Sequence, residues 1–324
     1  MTTTFVRRMA RVSALAVASV LTAVTLTSCT AAEECAPTIA TDGVASVVTA
    51  TGALGTMPTL DFPQPVVAEA PSLHTLTAGT GDTVRFGDYV DFEAVAVFGA
   101  DGSPMTSTAY YADQHERLSI SAEGSLVAQS FHCQTVGSRV VLVGSVLDIF
   151  GDLSANGLDN DATVVVALDV LARYSHKAEG AAQPAQDGMP AVVSAPNGEP
   201  GITLPKTAAP TELRVSTLIQ GEGDVVAEGD TIVAHYTGLL WDTGIVFDSS
   251  WDRDKPANLV AQDFTTHDGA GVVPGFAQAV IGQTVGSRVL VVIPPALGYP
   301  EGSSPQSIPF GSTMVFVVDI LGIG

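Results

Sequence analysis

Gln134-Thr135-Val136-Gly137-Ser138-Arg139-Val140 recurs unchanged as Gln283-Thr284-Val285-Gly286-Ser287-Arg288-Val289, 149 positions further along the chain. A seven-residue identity within one chain is hard to reach by chance and points to a duplicated unit. The likeness continues on both sides. Thr163-Val164-Val165-Val166-Ala167-Leu168-Asp169 resembles Thr313-Met314-Val315-Phe316-Val317-Val318-Asp319 at a spacing of 150. Upstream, Gly79-Thr80-Gly81-Asp82 and Gly87-Asp88 match Gly221-Glu222-Gly223-Asp224 and Gly229-Asp230 at a spacing of 142, which also carries Pro58 and Pro63 onto Pro200 and Pro205. The duplication predicts one unit over 52–174 and another over 192–324. Between them 175–191 is small, polar and Pro-containing, and reads as a linker.

Each unit is mostly strand. Val289-Leu290-Val291-Val292-Ile293 and Met314 through Leu321 are apolar and β-branched, and Asp230 through Tyr236 alternates polar with apolar. The helical stretch is Phe276-Ala277-Gln278-Ala279-Val280-Ile281, opened by Pro274-Gly275 and closed by Gly282. The expected fold class is α+β, with each unit a twisted antiparallel β-sheet wrapped over a short α-helix.

The chain has 324 residues, 46% of them hydrophobic, with 34 acidic against 13 basic residues. That length and apolar share suit two packed cores and argue against disorder. A net charge of −21 without a Lys/Arg cluster argues against nucleic-acid binding. The first 28 residues contribute Arg7, Arg8 and Arg11, then an uncharged apolar run, and have the anatomy of a secretory signal too short for a comfortable membrane span. Leu26-Thr27-Ser28-Cys29 resembles a bacterial lipobox, which implies lipidation of Cys29, with 29–51 a tether and the exported chain anchored to the outer face of the cell membrane. In an oxidising compartment Cys35 and Cys133 form an even pair; a disulfide between them is expected, the alternative being two separate thiols. No Cys-x-x-Cys occurs, and the six histidines never fall at ligand spacing, so neither a metal site nor a cofactor is expected.

The second unit carries an ordered set of motifs: Val233-Ala234-His235-Tyr236-Thr237-Gly238, Val246-Phe247-Asp248-Ser249-Ser250, Gly271-Val272-Val273-Pro274-Gly275-Phe276, Pro294-Pro295-Ala296-Leu297-Gly298-Tyr299 and Ile308-Pro309. Across 210–324 it resembles the FKBP-type peptidyl-prolyl isomerase family. The resemblance implies a proline pocket formed by Tyr236, Phe247, Asp248, Val273, Phe276, Tyr299, Ile308 and Phe316, with Leu259 and Val272 as further substrate-binding positions. It implies that Phe276 and Phe316 receive the proline ring, that Tyr299 and the Ile308 amide hold substrate carbonyls, and that Tyr236 and Asp248 form a polar edge. Phe276 stands where the family often has tryptophan, which bears on macrolide affinity more than on isomerisation. His235, a strand neighbour of Tyr236, should point to the opposite face.

In the first unit the positions matching Tyr236, Phe247, Asp248, Phe276, Tyr299 and Phe316 are Ala94, Met105, Thr106, Val127, Phe150 and Val166. A degenerate, catalytically silent copy is expected there. The implied function is isomerisation of X–Pro bonds in exported polypeptides by the C-terminal unit; the alternative is a non-catalytic binding module or holdase at the cell surface.

Overall fold

The computed structural model describes residues 35–324 apart from 42, 112 and 113, and these form one compact unit. Two antiparallel sheets dominate. The first contains β1 (Ser72–Thr77), β2 (Tyr89–Phe98), β3 (Pro104–Ser107), β4 (Glu116–Ser119), β5 (Arg139–Ser145) and β6 (Thr163–Tyr174), in the order β1-β5-β6-β2-β3 with β4 also on β2. The second repeats that order with β8 (Arg214–Gln220), β9 (Thr231–Leu240), β10 (Val246–Ser249), β11 (Ala257–Val260), β12 (Arg288–Ile293) and β13 (Met314–Ile323), and gains an outer strand, β7 (Ala181–Ala182). Helix α1 (Leu126–Phe131) packs on the first sheet. Its counterpart on the second is α3 (Pro274–Val280), which buries Phe276, Ala279 and Val280 against Val289, Val291 and Phe316. The α+β reading holds.

Sheets covered by a helix on one side usually alternate buried and exposed residues, yet every residue of Arg288–Ile293 is buried. The cause is a second layer on the opposite face. A hairpin pairing Ala191–Ser194 with Pro200–Thr203 brings Val192 and Ile202 over Leu290, Val292, Val315 and Val317. The first sheet has the equivalent hairpin, Thr49–Thr51 on Thr59–Asp61, and buries Ala45, Val48 and Phe62 against Val141, Val143 and Val165. Residues 35–51 are therefore no tether: they belong to the first unit, whose boundary lies upstream of 52. The disulfide between Cys35 and Cys133 joins the start of this layer to the turn after α1. Cys29 lies outside the described residues.

The repeated heptapeptide locks these layers together. Arg139 pairs with Asp169 through Nε–Oδ1 (2.6 Å) and Nη2–Oδ2 (2.7 Å), and Arg288 pairs with Asp319 the same way (2.5 and 2.6 Å), each side chain at most 5% exposed. The remaining guanidinium donors reach the covering hairpins: Arg139 donates to the carbonyls of Gly52 and Ala53, and Arg288 to Ser194 Oγ and the Gly198 carbonyl. Ser138 and Ser287 accept from the amides of Gly79 and Gly221, while Thr135 and Thr284 donate to the carbonyls of the same two glycines. A Cβ at Gly79 or Gly221 would collide with the carbonyl of Val136 or Val285, and Gly137 and Gly286 turn with φ of +91° and +90°.

Two local features depart from the sequence reading. The first unit has a second helix, α2 (Val146–Phe150), started by a reciprocal cap between Ser145 and Asp148. Nor does the stretch read as a linker run free: β7 pairs with β8, the Glu179 amide donates to the Gly286 carbonyl and the Ala178 amide to Asp319. The two units then meet through Tyr89 and Tyr174 of the first and Val233 and Leu321 of the second.

Replacing Arg288 with Met strands the Asp319 carboxylate in the interior and should lower the unfolding free energy by about 3–5 kcal/mol in urea titrations. Replacing Asp319 with Leu in the same chain should recover most of that loss.

Candidate active site

Alternation along β9 sends Tyr236 to the helix side of the second sheet and His235 to the other. Opposite Tyr236, β10 supplies Phe247 and Asp248, β11 supplies Leu259, and β13 supplies Phe316. Val272 and Val273 lead into α3, which carries Phe276 on its first turn, and the long connection from β12 to β13 contributes Tyr299 and Ile308. All ten line one cavity of about 360 Å³, joined by Gly271, Pro305 and Ser307.

Phe316 is its centre. The Phe276 ring stands edge-on at 5.2 Å and 89°, Phe247 at 5.4 Å and 80°, and Tyr236 is tilted at 6.4 Å. These are favourable aromatic geometries and leave a rigid apolar floor. Gly238 makes the arrangement possible, because a Cβ there would lie 2.7 Å from both Phe247 and Phe316.

One edge is polar. The Tyr236 hydroxyl donates to Asp248 Oδ2, and Arg253 donates to Asp248 Oδ1 at 2.6 Å and to the Tyr236 oxygen at 3.1 Å. Burial, reinforced by the hydrogen bond to Asp248, pushes the Tyr236 hydroxyl up to about 12. Burial pushes the Asp248 carboxyl up, but Tyr236 and Arg253 together outweigh it and hold it below the usual carboxylate range. Burial also raises Tyr299. The edge is thus a neutral hydroxyl, a carboxylate and a guanidinium, in a cavity with no side chain placed as an activated nucleophile.

Arg253 and Gly238 were not among the residues expected from sequence. The signal for Arg253 was available, since it is one of few basic residues in an acidic chain and follows the Phe247-Asp248 motif by five positions. One expected role fails: the Ile308 amide donates to the Pro305 carbonyl at 2.9 Å and is occupied. Among the described residues the Val273 N–H, at the start of α3, has no hydrogen-bond partner and is an amide of the cavity lining open to a carbonyl.

Residues 223–321 match the family model described as FKBP-type peptidyl-prolyl cis-trans isomerase. A probable FK506-binding protein of Corynebacterium glutamicum is 37% identical over 125 residues, which are 38% of this chain and 97% of the relative. An FK506-binding protein of Streptomyces anulatus is 33% identical over 127 residues, 39% of this chain and 97% of the relative. The chain belongs to the FKBP-type peptidyl-prolyl isomerase family. The FKBP-type 22 kDa peptidyl-prolyl cis-trans isomerase of Escherichia coli is 40% identical over 111 residues, 34% of this chain and 50% of that protein.

The first unit shares the FKBP strand order but not this cavity. Its Met105, Val127 and Phe150 pack against the helix-side core, Val166 is buried, and Ala96 occupies the position of Gly238, paired with Val166 rather than with a phenylalanine.

Gly238→Ala should displace Phe247 or Phe316 and lower kcat/KM for an X–Pro peptide about tenfold, measured by a protease-free exchange assay. In the wild type the polar edge keeps one charge state across neutral pH. A carboxylate with a lowered pKa contributes above its usual value near 3.8 and loses that contribution only as pH falls through its still lower folded value. The kcat/KM profile should therefore be flat between about pH 5 and pH 9.

Proposed function

We propose that this cavity isomerises X–Pro bonds of exported polypeptides, with Tyr236, Phe247, Asp248, Val273, Phe276, Tyr299, Ile308 and Phe316 forming the reaction site and Leu259 and Val272 extending it toward the substrate. The observation that carries the reading is the convergence of these residues on one aromatic cavity with a single polar edge.

The chemistry needs no nucleophile. An X–Pro bond resists rotation by about 20 kcal/mol because the planar amide is resonance-stabilised. Uncatalysed exchange takes on the order of tens of seconds. Twisting the bond removes the resonance and makes the amide less polar. A floor of Phe276, Phe316 and Phe247 favours the twisted form over the planar one, which is differential transition-state binding. The free Val273 N–H and the Tyr299 hydroxyl hold the carbonyls beside the proline, and the Tyr236–Asp248–Arg253 edge stiffens the wall they face. Phe276 supplies an apolar floor without an indole N–H, so macrolides of the kind named for the FK506-binding relatives should bind more weakly here than at a tryptophan floor.

The proposed setting is the outer face of the cell membrane, with a lipid on Cys29 and removal of 1–28. This rests on the basic start, the apolar run and the cysteine directly after it. The disulfide between Cys35 and Cys133 suits an oxidising compartment. Within the exported chain, 192–324 is the working domain and the unit preceding residue 175 is catalytically silent.

Asp248→Ala should lower kcat/KM about tenfold or more, and Asp248→Ala with Phe316→Ala in the full chain should return exchange to the uncatalysed rate. Residual acceleration in that double variant would move the activity into the first unit. A wild-type chain that binds unfolded polypeptide yet leaves exchange at the uncatalysed rate would establish the holdase reading instead.

A further inference from the structure

His235 is the buried group that the pocket does not use. It lies one residue from Tyr236 on the opposite face of β9, is 1% exposed, and stacks on Trp251 with ring centroids 4.0 Å apart and planes 17° off parallel. Its Nδ1 lies 2.9 Å from Ser250 Oγ, and its Nε2 lies 2.9 Å from the hydroxyl of Tyr89, which belongs to the first unit. Both ring nitrogens are therefore occupied, one by each unit.

One arrangement of hydrogens that satisfies the network puts the Ser250 hydroxyl proton on the Tyr236 carbonyl, 3.3 Å away; Ser250 Oγ then accepts from the Tyr236 amide at 2.8 Å and from Nδ1–H of His235. Nε2 then carries a lone pair, and the Tyr89 hydroxyl donates to it. Ser250 and Trp251 open the short turn Trp251–Arg253, whose last residue grips Asp248 and the Tyr236 hydroxyl. The imidazole thus holds the base of the turn that aims Arg253 into the pocket edge.

We propose that Tyr89 is a positioning residue for the isomerase site of the second unit, acting through His235 and the Ser250–Arg253 turn on the Tyr236–Asp248 edge. The first unit, which has Met105, Val127 and Val166 where its neighbour has Phe247, Phe276 and Phe316, braces the pocket of that neighbour. Without the Tyr89 hydroxyl, Nε2 is a buried acceptor with no partner. The ring can recover one only by turning, which breaks the Ser250 bond. The charged and titratable groups around it are His176 and Arg253, which disfavour an imidazolium, Asp254 beside Tyr89, and the Arg288–Asp319 pair, which sits across the ladder from His235 and is already closed on itself. Burial, reinforced by Arg253 and by His176 when it is protonated, pushes His235 down to about 4 in the intact relay.

The inference rests on the pocket assignment above and is tested in the full-length chain. kcat/KM for an X–Pro peptide is measured from pH 4.5 to 8 in wild type, Tyr89→Phe, His235→Gln and the double variant, and the His235 ring Cε1–H is titrated by NMR. Tyr174→Phe is the control, because Tyr174 packs in the same contact between units but bonds Asp91 rather than His235. Tyr89→Phe should move the His235 Cε1–H titration away from its wild-type course and lower kcat/KM several-fold. The double variant should be no worse than His235→Gln alone, and Tyr174→Phe should keep the wild-type profile. A wild-type His235 midpoint and pH profile in Tyr89→Phe, or losses that simply add in the double variant, would overturn the proposal while leaving the pocket reading intact. A wild-type chain with no isomerase activity would overturn the pocket reading itself, and the proposal with it.

Discussion

A buried arginine–aspartate pair organises each half of this chain. In isolation such a pair is weak support for stability, because desolvating two ions offsets much of their attraction. Here each guanidinium spends its remaining donors on a hairpin that covers the outer face of the sheet, so removing one partner unpairs a charge and releases a layer together. The aspartates contribute as well: Asp169 accepts from the Gly55 amide, and Asp319 from the Ala178 amide between the units. Sheet and covering hairpin therefore meet at one point in each half, and the side chains that meet there lie in or are bonded to the repeated heptapeptide.

Fold and pocket lie on different parts of the same strands. The clamp occupies β5 and β6, or β12 and β13, where both faces are buried. The pocket occupies the side where β9 meets β10 and where α3 begins. Glycine at 238 leaves room for Phe316 and Phe247, whereas the first unit pairs Ala96 with Val166. A difference of one methyl group accompanies the absence of the central ring, and Met105 and Phe150 pack against the core on that side.

The duplicated strands, the α3 helix and the cavity lining were legible in the sequence because each depends on a local pattern or an ordered motif. The covering hairpins were harder to read. Thr49–Thr51 and Thr59–Asp61 are three residues each, too short for a period, and they are held by Arg139 from 87 positions away. Arg253 carries only a weak signal, since a charge in a polar turn usually faces water, and its rarity in an acidic chain does not by itself place it beside Tyr236 and Asp248. The Ile308 amide was misassigned because motif order identifies residues and does not reveal which backbone donors the loop between β12 and β13 has already consumed.

The contact between the units shows why duplication need not preserve two sites. His235 stands where the first unit has Glu93, which is fully buried and bonded to His115 and Thr108 of its own unit. The same strand position thus serves an internal network in one copy and a link between copies in the other. With Tyr89 and Tyr174 packed on Val233 and Leu321, the first sheet has a structural use that asks nothing of Ala94, Met105 or Val166. Aliphatic side chains at those positions are compatible with the clamp, the hairpin cover and the contact with the second sheet.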